Sequence, residues 1–231
     1  MKKILILICA LIFTFPTVTK AEQSNNIAQN NIMKIRAKDY SYVFDKVDGL
    51  SKKQLQQHYV LYTRYVNKIN EINKNLDSIN KDTVNAAHSE YRSLKIDRAF
   101  SNNGVILHEL YFENLCSKKI NSSDCFIKKI EKDFGSFENY LADLTASMKS
   151  VRNGWVITAY NPLKDKIKNE TIEFHDLYLP INIKPLVVAD VWEHSYMIDY
   201  GIEKDNYIKV FLNNINWQVV SKRYKQTCLL D

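Results

Sequence analysis

The stretch VVADVWEHSYMIDY, residues Val187–Tyr200, decides which fold this chain is expected to have. Its apolar opening is typical of a buried strand, which would end at Asp190. His194 follows four residues later, so a carboxylate and an imidazole, both common metal ligands, can converge on one point. The structural alternative is an N-capping aspartate followed by a packed histidine.

Other histidines could complete a metal site around this pair. The chain has five histidines, His58, His88, His108, His175 and His194. His58 and His108 lie in stretches whose apolar residues recur at helical spacing, and both imidazoles fall on the apolar faces. With Asp190 and His194 they would form a set of three nitrogens and one oxygen, suited to iron, manganese or zinc. Three packed core histidines are the alternative.

The composition is that of a globular chain with long helices. Of 231 residues, 45% are hydrophobic and 25% are charged, with only five glycines and four prolines. So few turn-forming residues argue against an all-β sandwich. Without residues 1–21, 29 basic residues face 26 acidic ones, and this net charge of +3 is too small to indicate a nucleic-acid partner. No CxxC pair is present, which disfavours a thiolate metal site.

Residues 1–21 are predicted to be a secretory signal. The basic MKK is followed by ILILICALIFTF, which is short for a membrane span, and Thr19 and Ala21 stand at the usual cleavage offsets. A retained membrane anchor is the alternative. We therefore expect an exported protein, periplasmic or secreted, with no stable membrane anchor once the signal is removed.

Export also affects how the cysteines are interpreted. Cys116 and Cys125 lie nine residues apart across a polar loop, and an oxidising compartment would allow a disulfide between them. Residues 22–37, between the signal and the first domain, are polar and are predicted to form a loose leader.

The chain is predicted to be α+β, with a helical domain over residues 38–118 and a second domain over residues 119–231. Ser51 is the expected N-cap of the first helix, and further helical stretches are predicted over about 86–97 and from about 103 onward. The second domain begins with one or two helices. Three short segments follow, GWVITAYNP, IKNETIEFHDLYLP and IKPLVVAD, which are typical of strands in a small sheet. The segment after Val187–Tyr200 is again predicted to be helical.

DVWEHSYMIDY, followed by NYIKVFLNNINWQVVSKRY, resembles the C-terminal signature of the iron/manganese superoxide dismutase family. The segments GLSKKQLQQHYVLYTRYVNKIN and FSNNGVILHELYFENL resemble its two ligand helices, DFGSFENYL its domain-linking helix, and NGW the start of its sheet. The similarity covers about residues 38–225. It implies a long antiparallel helical hairpin, then an α/β domain with a three-stranded antiparallel sheet.

The resemblance implies that His58, His108, Asp190 and His194 bind one iron or manganese ion per subunit. It further implies an enzyme that disproportionates superoxide, a small anion, to dioxygen and hydrogen peroxide, and a homodimer as its assembly. Which of the two metals is bound stays open, because the features of the site occur with both.

The resemblance also assigns roles around the ligands. Tyr65 matches a gateway tyrosine. His175 matches a sheet position whose side chain hydrogen-bonds the metal-bound solvent, a role that Gly104 in the second ligand helix cannot fill. A surface histidine on a strand is the alternative for His175. Trp155 and Trp192 match walls of the site, and Tyr111 matches a packing residue. Glu193 and Tyr196 match dimer contacts.

The first ligand helix departs from the family pattern. The family usually has further histidines four and five residues after the ligand and the tyrosine eight after, whereas here Tyr62 and Thr63 follow and Tyr65 comes at seven. The chain thus lacks the imidazole expected to meet Tyr196 across the dimer. A spacing of seven still keeps Tyr65 on the face of His58.

The second ligand helix departs as well, with Leu107 in place of an asparagine and Phe112 in place of a tryptophan. These changes support a second hypothesis, that the chain is a catalytically weak or inactive exported metal-binding protein of the same fold. A zinc hydrolase is a weaker alternative, because HELYF lacks a second histidine at the required spacing.

Overall fold

Seven α-helices and three strands lie within residues 34–116 and 123–227, the part of the chain that this computed structural model describes. The helices are α1 (Lys52–Ser78), α2 (Glu90–Asn114), α3 (Asp124–Phe134), α4 (Phe137–Ser150), α5 (Met197–Tyr200), α6 (Lys204–Asn213) and α7 (Trp217–Thr227). The strands are β1 (Gly154–Asn161), β2 (Lys166–Glu173) and β3 (Lys184–Asp190). Helix therefore precedes sheet, and the predicted α+β class is confirmed.

The predicted N-terminal segments fall outside this description. The signal over residues 1–21 and most of the leader over residues 22–37 lie outside the described residues, so both stay predictions. The boundary between the predicted domains, at residues 118 and 119, also lies outside them. Among the described helices, none combines the length and apolar character needed to cross a membrane.

α1 and α2 form the long antiparallel hairpin. Residues near the start of α1 contact the end of α2, as in the ring pair of His58 and Phe112, whereas Tyr65 further along contacts Phe100. The Ser51 side chain accepts a hydrogen bond from the Gln54 backbone N–H, which confirms the predicted N-cap. The hairpin buries the apolar stripe of α1 and aims the side chains on that stripe at α2.

The predicted split of the second helical stretch is wrong. The structure has one continuous helix, α2, where the sequence indicated separate helices over about 86–97 and from about 103. Polar residues and Gly104 weaken the helical signal in its middle. Packing against α1 compensates for this low intrinsic propensity.

The sheet has the order β2-β1-β3, with both pairs antiparallel. The central strand β1 is buried along nearly all its length. Its sequence is therefore a mostly apolar run, without the alternation of apolar and polar residues that a half-exposed strand shows. Its register places Trp155 opposite Asp190, the last residue of β3. A Cβ atom at Gly154 would lie 1.9 Å from the Ile172 carbonyl oxygen, so this close approach of β1 and β2 requires glycine.

Arg223 of α7 joins the helical hairpin to the sheet. Its guanidinium donates to the side chain of Asn114 at 3.1 Å, to the Leu186 carbonyl oxygen at 2.9 Å and to Glu113 at 2.9 Å. Asn114 also accepts from the backbone N–H of Val188 at 2.8 Å. These bonds fix the end of α2 against β3. They therefore hold His108, on α2, in a fixed position relative to Asp190, at the end of β3.

Candidate metal centre

The four predicted ligands converge from four elements. His58 comes from α1, His108 from α2, Asp190 from the end of β3 and His194 from the 3-10 turn Glu193–Ser195. One ligand atom from each lies within 4.8 Å of the others. Asp190 Oδ2 is 3.0 Å from His58 Nε2, 3.1 Å from His194 Nε2 and 3.9 Å from His108 Nε2.

His108 is prepared to bind through Nε2. Its Nδ1–H donates to the Gly104 carbonyl oxygen at 2.6 Å, which fixes the tautomer, because a carbonyl can only accept. Nε2 of the neutral ring is therefore an unprotonated acceptor. It is buried and has no hydrogen-bond partner within the described residues. An orphaned acceptor that faces a carboxylate fits a bound cation and would be costly without one.

Burial and charge hold His58, His108 and Asp190 in the protonation states that metal binding needs. Burial lowers the pKa of His58, and it lowers the pKa of His108 well below its usual value. Burial alone would raise the pKa of Asp190, but His194 and His58 outweigh it and leave that pKa far below its usual range. Two neutral imidazoles and an ionised carboxylate result. A set of three nitrogens and one oxygen suits iron, manganese or zinc.

Asp190 is held by hydrogen bonds that the sequence did not indicate. The Tyr207 hydroxyl donates to its backbone oxygen at 2.6 Å, and Ser195 Oγ donates to the same oxygen at 3.1 Å. The Trp192 backbone N–H donates to Oδ1 at 2.9 Å, which leaves Oδ2 for the histidines. Ligand orientation thus depends on this outer layer of hydrogen bonds.

Gln54 connects α1 to the loop that carries His194. Its side-chain Nε2 donates to the His194 carbonyl oxygen at 2.6 Å, and its Oε1 accepts from the Ile198 backbone N–H at 3.1 Å. Gln54 is completely buried and lies one turn before His58. A polar residue on the apolar stripe of α1 was the available signal, because a buried amide must have partners.

Tyr65, His175 and Trp155 form a hydrogen-bonded chain beside the ligands. The Trp155 indole N–H donates to His175 Nδ1 at 2.9 Å, and His175 Nε2 is 2.8 Å from the Tyr65 hydroxyl. His175 is 0% exposed, so the alternative of a surface strand histidine is wrong. It follows β2 in a turn where Phe174 adopts a left-handed φ of 54°. Burial lowers the pKa of His175 to about 4 and raises that of Tyr65 to about 12.

Gly104 gives the Tyr65 ring its space. A Cβ atom at Gly104 would lie 3.0 Å from Cδ1 of Tyr65, which is too close for any side chain unless the ring moves. α1 runs without interruption through His58 and Tyr65, and both face the site. The spacing of seven is thus compatible with the geometry of an unbroken α-helix.

Two kinds of comparison identify relatives of this chain. Residues 122–223 match the family model for iron/manganese superoxide dismutases, C-terminal domain. A superoxide dismutase [Fe] of Aquifex aeolicus (strain VF5) is 34% identical over 200 residues, covering 84% of this chain and 93% of that protein. Those of Aquifex pyrophilus and Cupriavidus metallidurans are 35% and 34% identical, covering 78% of this chain and 86% and 90% of those proteins.

The chain belongs to the iron/manganese superoxide dismutase family. In this family member the predicted aromatic residues surround the ligands. The ring centroids of Trp155 and His108 are 5.0 Å apart in an edge-to-face arrangement, and those of Trp192 and His194 are 5.8 Å apart in a stacked one. The ring centroids of Tyr111 and His58 are 4.9 Å apart. The walls that the sequence predicted are therefore close to the four ligands.

The two predicted dimer residues of this superoxide dismutase homologue differ in exposure. Glu193 is exposed next to His194, where a second subunit could reach it. Tyr196 is 6% exposed and stacks on Tyr207 of its own chain at 5.2 Å. The contact of either residue with a second subunit stays a prediction.

The predicted disulfide also stays a prediction. Cys116 is partly exposed and Cys125 is exposed. Residues 117–122, between them, lie outside the described part of the chain.

Proposed function

We propose that this chain is a superoxide dismutase that converts two superoxide anions to dioxygen and hydrogen peroxide. His58, His108, Asp190 and His194 would hold one iron or manganese ion. The observation that carries this proposal is the convergence of these four side chains, with one ligand atom from each within 4.8 Å of the others. The relatives described above support it.

A bound iron or manganese ion supplies the redox chemistry, because it can take an electron from one superoxide and give it to the next. The protein must hold that ion and deliver protons. Asp190 contributes the anionic ligand. Its backbone oxygen is fixed by Tyr207 and Ser195, so its position does not depend on the ligands alone.

Tyr65 and His175 would deliver protons to the reduced product. Because the Trp155 indole can only donate, Nδ1 of His175 must accept, and Nε2 of the neutral ring carries the hydrogen. His175 then donates to the Tyr65 oxygen, so the Tyr65 hydroxyl hydrogen must point elsewhere. That hydrogen is available to a small anion beside the ring.

We also propose that the enzyme is a homodimer. Glu193, Met197 and Ile198 are exposed in adjacent positions beside His194. A charged residue flanked by apolar ones suits a self-complementary contact between two copies. Light scattering on the purified protein tests this, and a monomeric mass at micromolar concentration would contradict it.

Export to the periplasm or the medium is a further proposal. It is supported by the basic, apolar and small-residue pattern of residues 1–21. N-terminal sequencing of the protein recovered from its natural host tests it. An intact Met1 would contradict cleavage.

Metal analysis and a superoxide consumption assay on the same preparation test the proposed function. We expect iron or manganese in the purified chain and activity that follows the metal content. A fully loaded chain without activity would contradict the enzyme and favour the alternative of a metal-binding protein.

A further inference from the structure

Three tyrosines lead from the metal centre to the surface. Tyr62 lies one helical turn after His58, and its ring centroid is 6.3 Å from that of His108. The ring centroid of Tyr40 lies 5.8 Å from that of Tyr62, and the ring centroid of Tyr42 lies 6.2 Å from that of Tyr40. Tyr62 is 0% exposed and Tyr40 is 3% exposed, whereas Tyr42 is 52% exposed. The rings thus form a continuous series from the interior to solvent.

Each buried phenol in this series has a carboxylate beside its hydroxyl group. Tyr62 donates to Glu109 Oε1 at 2.9 Å, and Tyr40 donates to Glu113 Oε1 at 3.2 Å. These distances allow direct proton transfer. An oxidised phenol is a strong acid, so a tyrosine loses an electron easily only where its proton has an acceptor.

Tyr59 provides an internal contrast. Its ring lies 5.8 Å from Tyr62, as close as that of Tyr40. Its hydroxyl group donates instead to the Lys38 carbonyl oxygen, which cannot take up the proton. Ring proximity is therefore shared by both tyrosines next to Tyr62, but within the described residues only Tyr40 donates to a carboxylate and leads on to Tyr42.

The exposed end of the series opens into a surface groove of about 680 Å³. Tyr42 lines this groove together with Lys184, Lys222 and Arg223. Arg223 is paired with Glu113, and the two lysines add positive charge beyond this pair, which favours a small anion. Glu113, the partner of Tyr40, lines the same groove.

We propose that Tyr62, Tyr40 and Tyr42 form an electron-transfer path that carries oxidising equivalents from the metal centre to this groove, where a small anionic reductant of the ascorbate class removes them. The path rests on the proposed function, because hydrogen peroxide is the product of that reaction. With iron held by the four ligands, the reduced ion would supply one electron to hydrogen peroxide, which would split into hydroxide and a hydroxyl radical. That radical would damage the buried ligands.

The electrons and protons balance at each step. The hydroxyl radical takes an electron from Tyr62 and becomes hydroxide, while the phenolic O–H bond breaks and its proton passes to Glu109. Tyr40 then gives an electron to the Tyr62 radical, Tyr62 recovers its proton from Glu109, and the proton of Tyr40 passes to Glu113.

The last steps move the radical to solvent. Tyr42 gives an electron to the Tyr40 radical and its proton to water, while Tyr40 recovers its proton from Glu113. Ascorbate monoanion then transfers a hydrogen atom to the Tyr42 radical, which restores tyrosine and leaves the ascorbyl radical.

Peroxide treatment of the iron-loaded protein, with ring-deuterated tyrosine and rapid-freeze EPR, tests the path. We expect a tyrosyl radical, an oxidised Tyr42 by peptide mass spectrometry, and ascorbate oxidation that depends on protein. Tyr62→Phe and Tyr40→Phe should each reduce oxidation of Tyr42 to the level of metal-free protein. Tyr42→Phe should leave the radical in the interior and slow ascorbate oxidation.

Tyr59→Phe is the matched control and should leave oxidation of Tyr42 unchanged. Undiminished oxidation of Tyr42 in the Tyr62→Phe or Tyr40→Phe variant would overturn the path. The superoxide consumption rate of each variant, measured before peroxide is added, separates the two proposals. A loaded protein without dismutase activity contradicts the proposed function, while the radical measurement still decides the path.

Discussion

At the scale of single residues, one oxygen atom organises the electrostatics of the site. Asp190 Oδ2 faces two imidazole nitrogens at 3.0 and 3.1 Å, and Oδ1 is held by a backbone N–H. The carboxylate is completely buried, so it depends on these partners and on a bound cation.

Asp190→Ala should therefore lose bound metal. Changes in the outer shell of metal sites commonly weaken binding about 10-fold to 100-fold, and removal of the anionic ligand should cost at least as much. Metal content per chain after dialysis measures the effect. Asp205→Ala, which removes an exposed carboxylate paired with Lys149, is the control and should keep its metal. An Asp190→Ala chain that retains metal as well as the parent would show that the ligand assignment is wrong.

His175→Ala should keep the metal and lose rate. The substitution removes both the acceptor of the Trp155 indole and the donor to Tyr65. Loss of a positioned proton-transfer group typically costs about 100-fold or more. His175→Gln is the matched variant, because its amide can accept from Trp155 and donate to Tyr65, and it should recover part of the rate. Metal content and turnover measured together decide the outcome. Equal rates for the two variants would exclude the hydrogen-bond role.

The same histidine should make stability depend on pH. Burial lowers the pKa of His175 from 6.5 to about 4 in the folded protein, so the unfolded chain binds more protons between these values. Stability is therefore full above about pH 6.5 and falls as the pH drops toward 4, by about 3 kcal/mol. Urea unfolding of the parent and of His175→Gln at pH 7 and pH 4 isolates this effect. We expect the parent to lose more stability, and equal losses would contradict it.

At the scale of secondary structure, α2 places a glycine where α1 places an aromatic ring. Gly104 weakens the helix by about 1 kcal/mol relative to alanine, yet it leaves the space that Tyr65 occupies. Local propensity and tertiary packing thus favour different residues at this position. The position of the Tyr65 ring depends on the packing of α1 against α2.

Gly104→Ala should lower the rate without loss of metal, because the new methyl group displaces the Tyr65 ring from His175. A double-mutant cycle with Tyr65→Phe tests this mechanism. The effect of Gly104→Ala on the rate should disappear in the Tyr65→Phe background, where the hydroxyl group is already absent. An undiminished effect there would indicate that the substitution acts through the helix and not through Tyr65.

At the scale of the whole molecule, the site depends on a frame that spans both halves of the chain. Arg223 ties the end of α2 to β3, and Gln54 ties α1 to the loop that carries His194. Arg223 and Gln54 lie far apart in the sequence, and they position different ligands. The four ligands are therefore held by contacts between elements rather than by one local motif.

Arg223→Met should destabilise the protein by about 3 kcal/mol, because Glu113 and the backbone oxygens of Leu186 and Leu110 lose their donor in a largely buried place. Lys222→Met, its exposed neighbour, is the control and should change the free energy of unfolding little. Urea unfolding at pH 7 measures both. A similar effect of the two substitutions would contradict the structural role of Arg223.

The sequence alone predicted much of the fold and of the site. Ser51 as an N-cap and the order of helices and strands followed from caps and periodicity, whereas the four ligands, which the spacing alone left open, followed from the resemblance to the family. The split of α2 into two helices was wrong, because its polar middle is stabilised by packing. Gln54 and Tyr207 were missed, because the sequence shows that a residue is polar but not which group it will hydrogen-bond. That partner is brought beside it only by the packing of distant segments.

The sequence was thus sufficient for the α+β class, because helix and strand patterns are local, and its family motifs indicated the four ligands. Packing places His175 between Trp155 and Tyr65, and so sets which of its nitrogens donates. Packing also brings a carboxylate to the hydroxyl groups of both Tyr62 and Tyr40. These contacts join residues far apart in the chain, and hydrogen-bond direction depends on the partner that packing supplies.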